Sequence, residues 1–381
     1  MPAPGIASAA TTLLSEHRLR MVLRADAGGF TQVESLPRRA SQSHRLLIGR
    51  TAQQAMALLP TLYPVGAMAH RAAAAAALAS LHGDDGGSDQ DPRAVLLERL
   101  REHLLPIHRD WPLSMAQAPP TDTLHAVHDL LRVLDSPRQQ AQDGLRELVE
   151  VRTLGMSARD FLGIDSGDAL LRWARGNERL TPARFLAWLA EQPLTLAPTR
   201  LPQPLQPPPA RALARYLLGG GGDDFEAFPQ WQGVCRESTP WARRCAHPML
   251  RDLARGDAPP AAALLARFAA RLVDLAETLL AWRDPQQHPE ALRAGDGVAM
   301  VHTARGLLAY GMALDHGERI TRCVIVTPAQ WNFHPQGTVP QMLRSIAWST
   351  PRQVAHAASL VACAVDPFVR CDFALPQAEA E

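Results

Sequence analysis

The chain lacks a surplus of charge. Lysine plus arginine number 39 against 38 for aspartate plus glutamate, so no basic face is implied and neither nucleic acid nor an anionic membrane is an expected partner. It has few cysteines: five, an odd number at wide spacing. That pattern excludes a disulfide framework and fits a reducing compartment. It also lacks any apolar run near the roughly 20 residues that cross a bilayer. Met1-Pro2-Ala3-Pro4 offers neither the basic start nor the apolar core of a secretory signal. A cytoplasmic protein is expected. There is no internal repeat, no sustained heptad pattern and no Gly-x-Ser-x-Gly elbow. Gly219 to Gly222 lacks the lysine and following Ser/Thr of a phosphate loop, so it reads as a flexible linker.

What is present is mostly helix. A length of 381 residues allows two domains or one large one. Its 32 prolines and 25 glycines indicate many loops and short helices rather than a regular bundle. Leu19, Met21 and Leu23 alternate with mostly charged neighbours, which predicts a β-hairpin over 17–35 turning at Ala27-Gly28-Gly29. Residues 51–81 read as helix, broken or kinked at Pro60 and Pro64. Val95, Leu97, Leu100 and Leu104 predict an amphipathic helix over 94–105. Thr121 or Asp122 caps a helix ending near Leu134, and another spans 138–154 with Gly155 as its stop. Thr181-Pro182 has the form of an N-cap and first helical position. Residues 198–210 read as an extended proline-rich connector. The longest helix is expected over 261–282, then a second hairpin over 306–327 turning at Asp315-His316-Gly317, then helices near 338–347 and 351–364. The expected fold class is mainly α with small β-hairpins (α+β). Its organisation is an N-terminal half over 1–197, a connector over 198–224 and a C-terminal half over 225–381, the two halves forming one compact domain.

Functional signal sits in short segments. Leu47-Ile48-Gly49-Arg50 is followed, after eleven intervening residues, by Leu62-Tyr63-Pro64-Val65-Gly66-Ala67-Met68-Ala69-His70. Further on come Val301-His302-Thr303-Ala304-Arg305-Gly306, Val326-Thr327-Pro328-Ala329-Gln330-Trp331-Asn332-Phe333-His334-Pro335-Gln336-Gly337, and Asp366-Pro367-Phe368-Val369-Arg370-Cys371. In this order they resemble the large subunit of nickel-iron hydrogenases. The last resembles Asp-Pro-Cys-x-x-Cys with Phe368 in place of the first cysteine. The first resembles Cys-Gly-x-Cys-x-x-x-His with Tyr63 and Gly66 where the cysteines would stand and His70 retained. The other two are similar to Val-Glu-Ala-Pro-Arg-Gly and Thr-x-x-Trp-Asn-x-x-Pro-Arg-Asp, with Gln336 and Gly337 replacing that arginine and aspartate. Glu16-His17-Arg18-Leu19-Arg20 is similar to Glu-Gly-His-Leu-Arg, and Glu237 to Arg243 is a faint further match.

Four cysteines hold the nickel-iron centre in that family, because thiolates are soft ligands that can bridge two metals. The resemblance implies that one of the four remains here, Cys371, at a bridging position, and that both terminal nickel positions are lost. A hydrogenase large subunit stripped of most of its ligands resembles the HupK/HoxV-type hydrogenase maturation proteins. The resemblance implies the large-subunit fold and no catalytic residues. It implies a scaffold that shelters or transfers an Fe(CN)2CO fragment, with transient iron and no nickel. Cys371 would be the metal contact, with His70, Pro335 and Asp366 around the cofactor. The implied partners are the hydrogenase large-subunit precursor and HypC-type maturation chaperones. After Cys371 the family's histidine and cleavable extension are missing, which implies a chain never matured into an enzyme. The alternative is a metal-free structural or protein-interaction relative.

Simpler readings stand beside these. Cys371 is also readable as an inert buried thiol, and His70 as a solvent-side histidine on an alanine-rich helix. Glu16, a proton-relay position in the family, reads more simply as half of a surface salt bridge. Cys235, Cys245 and His247 form a C-x9-C-x-H set that does not match compact zinc spacing. His125 and His128 read as a chance pair on a solvated helix face.

Overall fold

The computed structural model describes residues 18–35, 42–83, 92–135, 137–194, 201–255, 262–285, 293–366 and 370–375. Strand β1 (Arg18–Ala25) turns Met21 and Leu23 into the core, both fully buried, and pairs antiparallel with β2 (Thr31–Ser35). Asp26 closes the turn, its carboxylate accepting the Gly28 and Phe30 N–H groups at 2.9 and 2.8 Å. Helix α1 (Ala52–Leu62) starts at a capping box formed by Thr51 and Gln54. Pro60 sits inside its final turn, and the chain breaks over Tyr63 to Gly66 before α2 (Ala67–Leu81). The expected proline break is therefore real.

Helix α3 (Pro92–Ser114) departs from expectation. It runs 23 residues, through Pro106 and Pro112, where a stop near Leu105 was expected. A proline in a helix interior removes a hydrogen bond and costs about 3 kcal/mol. Leu97, Leu100, Leu104, Ile107 and Trp111 are all fully buried along it, and each such burial contributes about 1.5–3 kcal/mol. Burial outweighs the local penalty. Much of that packing is against α4 (Ala262–Arg283), which at 22 residues is one shorter than α3 rather than the longest helix. Helix α4 is buried almost all round, which marks a central core helix rather than a surface one.

Between these helices the predicted boundaries shift locally. Thr121–His128 is capped at Pro120 and gives way to a 3-10 turn over Asp129–Asp135, not one helix to Leu134. Arg138–Leu145 continues as a π-helical segment, Arg146–Leu154, stopped by Gly155 in the left-handed region. The N-cap expected at Thr181 is Leu180. The proline-rich connector is stitched down, since Gln203–Pro204 pairs parallel with Arg236–Glu237. The four-glycine run is a tight turn between helices Ala210–Leu217 and Gly222–Ala227 rather than a loose linker, and Gly222 is buried.

The second expected hairpin is half of a larger sheet. Strands β3 (Arg293–Gly295), β4 (Val298–Thr303), β5 (Gly306–Leu314) and β6 (Ile320–Val326) form an antiparallel meander in that order. The alanine-rich α2 packs against β4 and β5, and the Ala210–Leu217 helix also lies against them. Gly311 is required here, because a Cβ would sit 2.7 Å from the Cβ of Leu217. After α5 (Thr338–Arg344) and α6 (Pro351–Val365) the chain ends in β7 (Arg370–Ala374). Strand β7 joins β1 in parallel, setting Cys371 opposite Leu19. Among the described residues no helix is long and apolar enough to cross a membrane.

Candidate functional site

Tyr63, at the C-terminal end of α1, lays its ring on His70 of α2, with centroids 4.2 Å apart and planes within 6° of parallel. His70 is buried, and its Nδ1 is 2.6 Å from the Tyr310 hydroxyl of β5. The reading of His70 as a solvent-side histidine is overturned, because the alanines of α2 bring the helix close to the sheet. Burial pushes the His70 imidazole down to about 3, so it is neutral and shares one proton with a phenol. Burial, with Cys323 and Glu226 nearby, pushes the Tyr63 phenol well up. Gly66 takes φ +74° at the start of α2, a conformation that a residue with a Cβ adopts only at a cost.

Gly66 gives α2 no side-chain cap. Glu98 of α3 supplies one, accepting the N–H groups of Met68 and Ala69 at 2.9 Å each. A carboxyl there meets the positive end of the helix. Burial and then Glu102 nevertheless push the Glu98 carboxyl up to about 7. One helical turn on, Glu102 accepts from Arg305 at 2.8 Å. Arg305, in the β4–β5 turn, also approaches Asp366 at 3.4 Å, and Arg271 of α4 approaches the same Asp366 oxygen at 3.2 Å. Asp366 caps α6 in the left-handed region with φ 54°. A line of buried charge thus runs from the start of α2 along α3 to the end of α6.

Beside it, Asp274 of α4 is fully buried and binds His103, Arg243 and Arg244. Burial raises its carboxyl, but Arg243, Arg244 and Arg99 outweigh this and hold it well below the usual range. Cys371 lies at the far end, half-buried. Burial, then Asp372 and Asp366, pushes its thiol up to about 12. A second thiol shares that field: Cys363 of α6 is pushed up to about 12 by burial, with Asp110 and Asp366 adding and Arg271 opposing. Neither thiol is ionised at neutral pH on its own, so binding a metal ion would release a proton.

The structure links Asp366 and Cys371 through this field and connects His70's helix to them through Glu98, Glu102 and Arg305. Pro335 is exposed, and its carbonyl accepts from exposed Arg344 at 3.1 Å. Gln336 is exposed too. Asn332 is structural: it bonds both backbone groups of Ser238 at 2.9 and 2.7 Å. Cys235, Cys245 and His247 bond separate carbonyls, of Trp331, Ala242 and Leu162. His125 and His128 are exposed. Among the described residues no group of three or more His, Cys, Asp or Glu side chains is placed to hold a metal ion. Glu16 and Phe368 lie outside the described residues. Sequence reading missed Glu98, Glu102, Arg271, Asp274 and Cys363. Glu98 and Glu102, four apart on a predicted helix, gave the one local hint.

The fold is that of nickel-iron hydrogenase large subunits. The Ni-Fe-Se hydrogenase of Desulfomicrobium baculatum superposes with a TM-score of 0.52 at 12% identity, covering 89% of this chain and 93% of that one. A [NiFeSe] hydrogenase variant of Desulfovibrio vulgaris Hildenborough gives 0.50 at 15% identity, covering 89% and 92%. No family model matches the chain. Curated relatives span nearly its whole length. "Hydrogenase expression/formation protein HoxV" of Cupriavidus necator is 29% identical over 87% of this chain and 90% of its own. HupK of Bradyrhizobium diazoefficiens is 27% identical over 87% and 90%. HupV of Azotobacter chroococcum, also named as a hydrogenase expression/formation protein, is 26% identical over 92% and 96%. The chain is a homologue of these HoxV/HupK/HupV proteins.

Proposed function

We propose that this protein is a non-enzymatic scaffold in nickel-iron hydrogenase maturation, which shelters an Fe(CN)2CO fragment at Cys371 and passes it to the large-subunit precursor. One observation carries the reading: the large-subunit fold is kept while Tyr63, stacked on His70, and Gly66, in a backbone costly for cysteine, stand where the resemblance would put nickel ligands. The end with Cys371 and Asp366 keeps a thiol and buried charge. A nickel ion left with one thiolate has no selective site. Iron that brings its own diatomic ligands needs fewer from protein, and a single weak attachment suits cargo that must leave. Working partners are the large-subunit precursor and HypC-type maturation chaperones, in the cytoplasm.

The metal-free reading also has support, since His70 is committed to Tyr310 and Tyr63. Protein purified anaerobically from its own host separates the two by iron content and by cyanide and carbonyl infrared bands. Bands lost in folded Cys371→Ser but kept in Cys235→Ser support the scaffold. Absence of iron and bands from wild type, with maturation intact in Cys371→Ala, rejects it for the metal-free protein.

A further inference from the structure

An open cleft of about 520 Å3 lies between the Ala210–Leu217 and Gly222–Ala227 helices. Its walls are aromatic. Tyr216 meets Phe225 with ring centroids 5.1 Å apart, and Phe228 completes the lining. Trp331 packs edge-on against Phe225 and His334 edge-on against Phe228. The Trp331-Asn332-Phe333-His334 stretch, which supplies no side chain to the site above, therefore buttresses this cleft. Size and lining are those of a binding cleft.

Gln230 is a polar group of the lining, and His334 orients it. Nδ1 of His334 accepts the Gln336 N–H at 3.0 Å, so in the neutral ring Nε2 carries the proton. Burial lowers the pKa of His334 and favours that neutral ring. The Gln230 carboxamide comes within 3.4 Å of Nε2, and only its oxygen can accept from it. Its NH2 group is then without a partner among the described residues, on a side chain that lines the cleft. Arg215 and Asp224 stand exposed on the rim with opposite charge, so the cleft selects neither an anion nor a cation. Trp231 packs on Tyr216 at 5.1 Å and opens a tight turn to Val234, which is 49% exposed. Apolar surface thus continues past the cleft, which suits a chain segment better than a small molecule. An ordinary extended chain would press its own N–H groups against these rings without acceptors. Proline has no N–H to bury, and its extended helix is formed in advance.

We propose that this cleft docks a proline-containing extended segment of a partner protein, with prolyl rings against Tyr216 and Phe228 and a peptide carbonyl accepting from the Gln230 NH2. The proposal does not depend on iron at Cys371.

The test titrates full-length protein with a fluorescein-labelled oligoproline of about ten residues, followed by anisotropy. Wild type is compared with Phe228→Ala, Gln230→Glu and, as a control elsewhere on the surface, Leu113→Ala. Circular dichroism establishes folding. Saturable binding is expected in wild type and in Leu113→Ala. Phe228→Ala removes a wall and weakens binding. Gln230→Glu is nearly isosteric: it keeps an oxygen towards His334 and replaces the free NH2 by an acceptor, so binding falls about fivefold or more. A merely structural Gln230 would tolerate that change without loss of affinity, and this arm decides even if Phe228→Ala does not fold. No saturable binding to wild type overturns the proposal. So does equal binding by folded Gln230→Glu, or equal binding of a Gly/Ser peptide of the same length. Indole bound in place of oligoproline would make the cleft a small-molecule site and overturn the proposal as well.

Discussion

The two ends of the candidate site have been treated differently. Around His70 the space is filled: one ring stacks on another, the imidazole bonds a phenol, and the helix entry is a glycine in the left-handed region. Around Asp366 the space is charged: two guanidinium groups converge on one carboxylate, with two thiols in reach of its field. Aromatic packing needs nothing further to be stable. Buried charge needs its hydrogen bonds paired as well.

The largest expected effect tests the charged end. Asp274→Ala leaves Arg243 and Arg244 without their buried carboxylate, and breaking such a pair costs about 3–5 kcal/mol. Chemical denaturation measures it. A loss below about 1 kcal/mol would mean that the network is solvated and the contrast false.

Acid should act on His70 and on Glu98 with opposite sign. His70 has its folded value lowered from 6.5 to about 3, so the unfolded chain takes up the proton first. Its contribution is complete above pH 6.5 and is lost as pH falls towards about 3, at about 1.4 kcal/mol per pH unit. His103 and His108, both pushed down to about 4 by burial, act in the same direction. Glu98 has its folded value raised from 4.5 to about 7. Its contribution is complete below pH 4.5 and is lost as pH rises through about 7. Stability curves of His70→Phe should therefore flatten the acid limb, and those of Glu98→Gln the limb between 4.5 and 7. The same change of slope in both variants would erase the distinction.

Tyr63→Ala removes the ring stacked on His70, and a cost of about 2 kcal/mol is expected for a partly buried aromatic side chain. His70 also gains water, so its titration should move up from about 3, which proton NMR reads directly. An unmoved His70 would show that Tyr63 does not close this end. The smallest effect belongs to Pro335→Ala. Exposed at the surface, it should change stability by less than about 0.5 kcal/mol and leave maturation in the host unchanged. Lost maturation would return Pro335 to the site.

Local patterns were legible because they need only near neighbours. The alternation over residues 18–25, the proline break after α1 and the Asp315-His316-Gly317 turn all appear where their chemistry predicts. The collinear motifs announced the fold. The sequence by itself also determined that no cysteine stands at 63, 66 or 368. Long-range packing decided the rest. Helix α3 continues through Pro106 because α4 buries its face, and β7 adds to β1 because both edges meet beside the core. Pro335 carries a motif and lies exposed, while Arg271 has no motif at all and reaches Asp366. A buried charge is defined by partners hundreds of ångströms of chain away or only a helix away, and only the folded chain brings them within bonding distance.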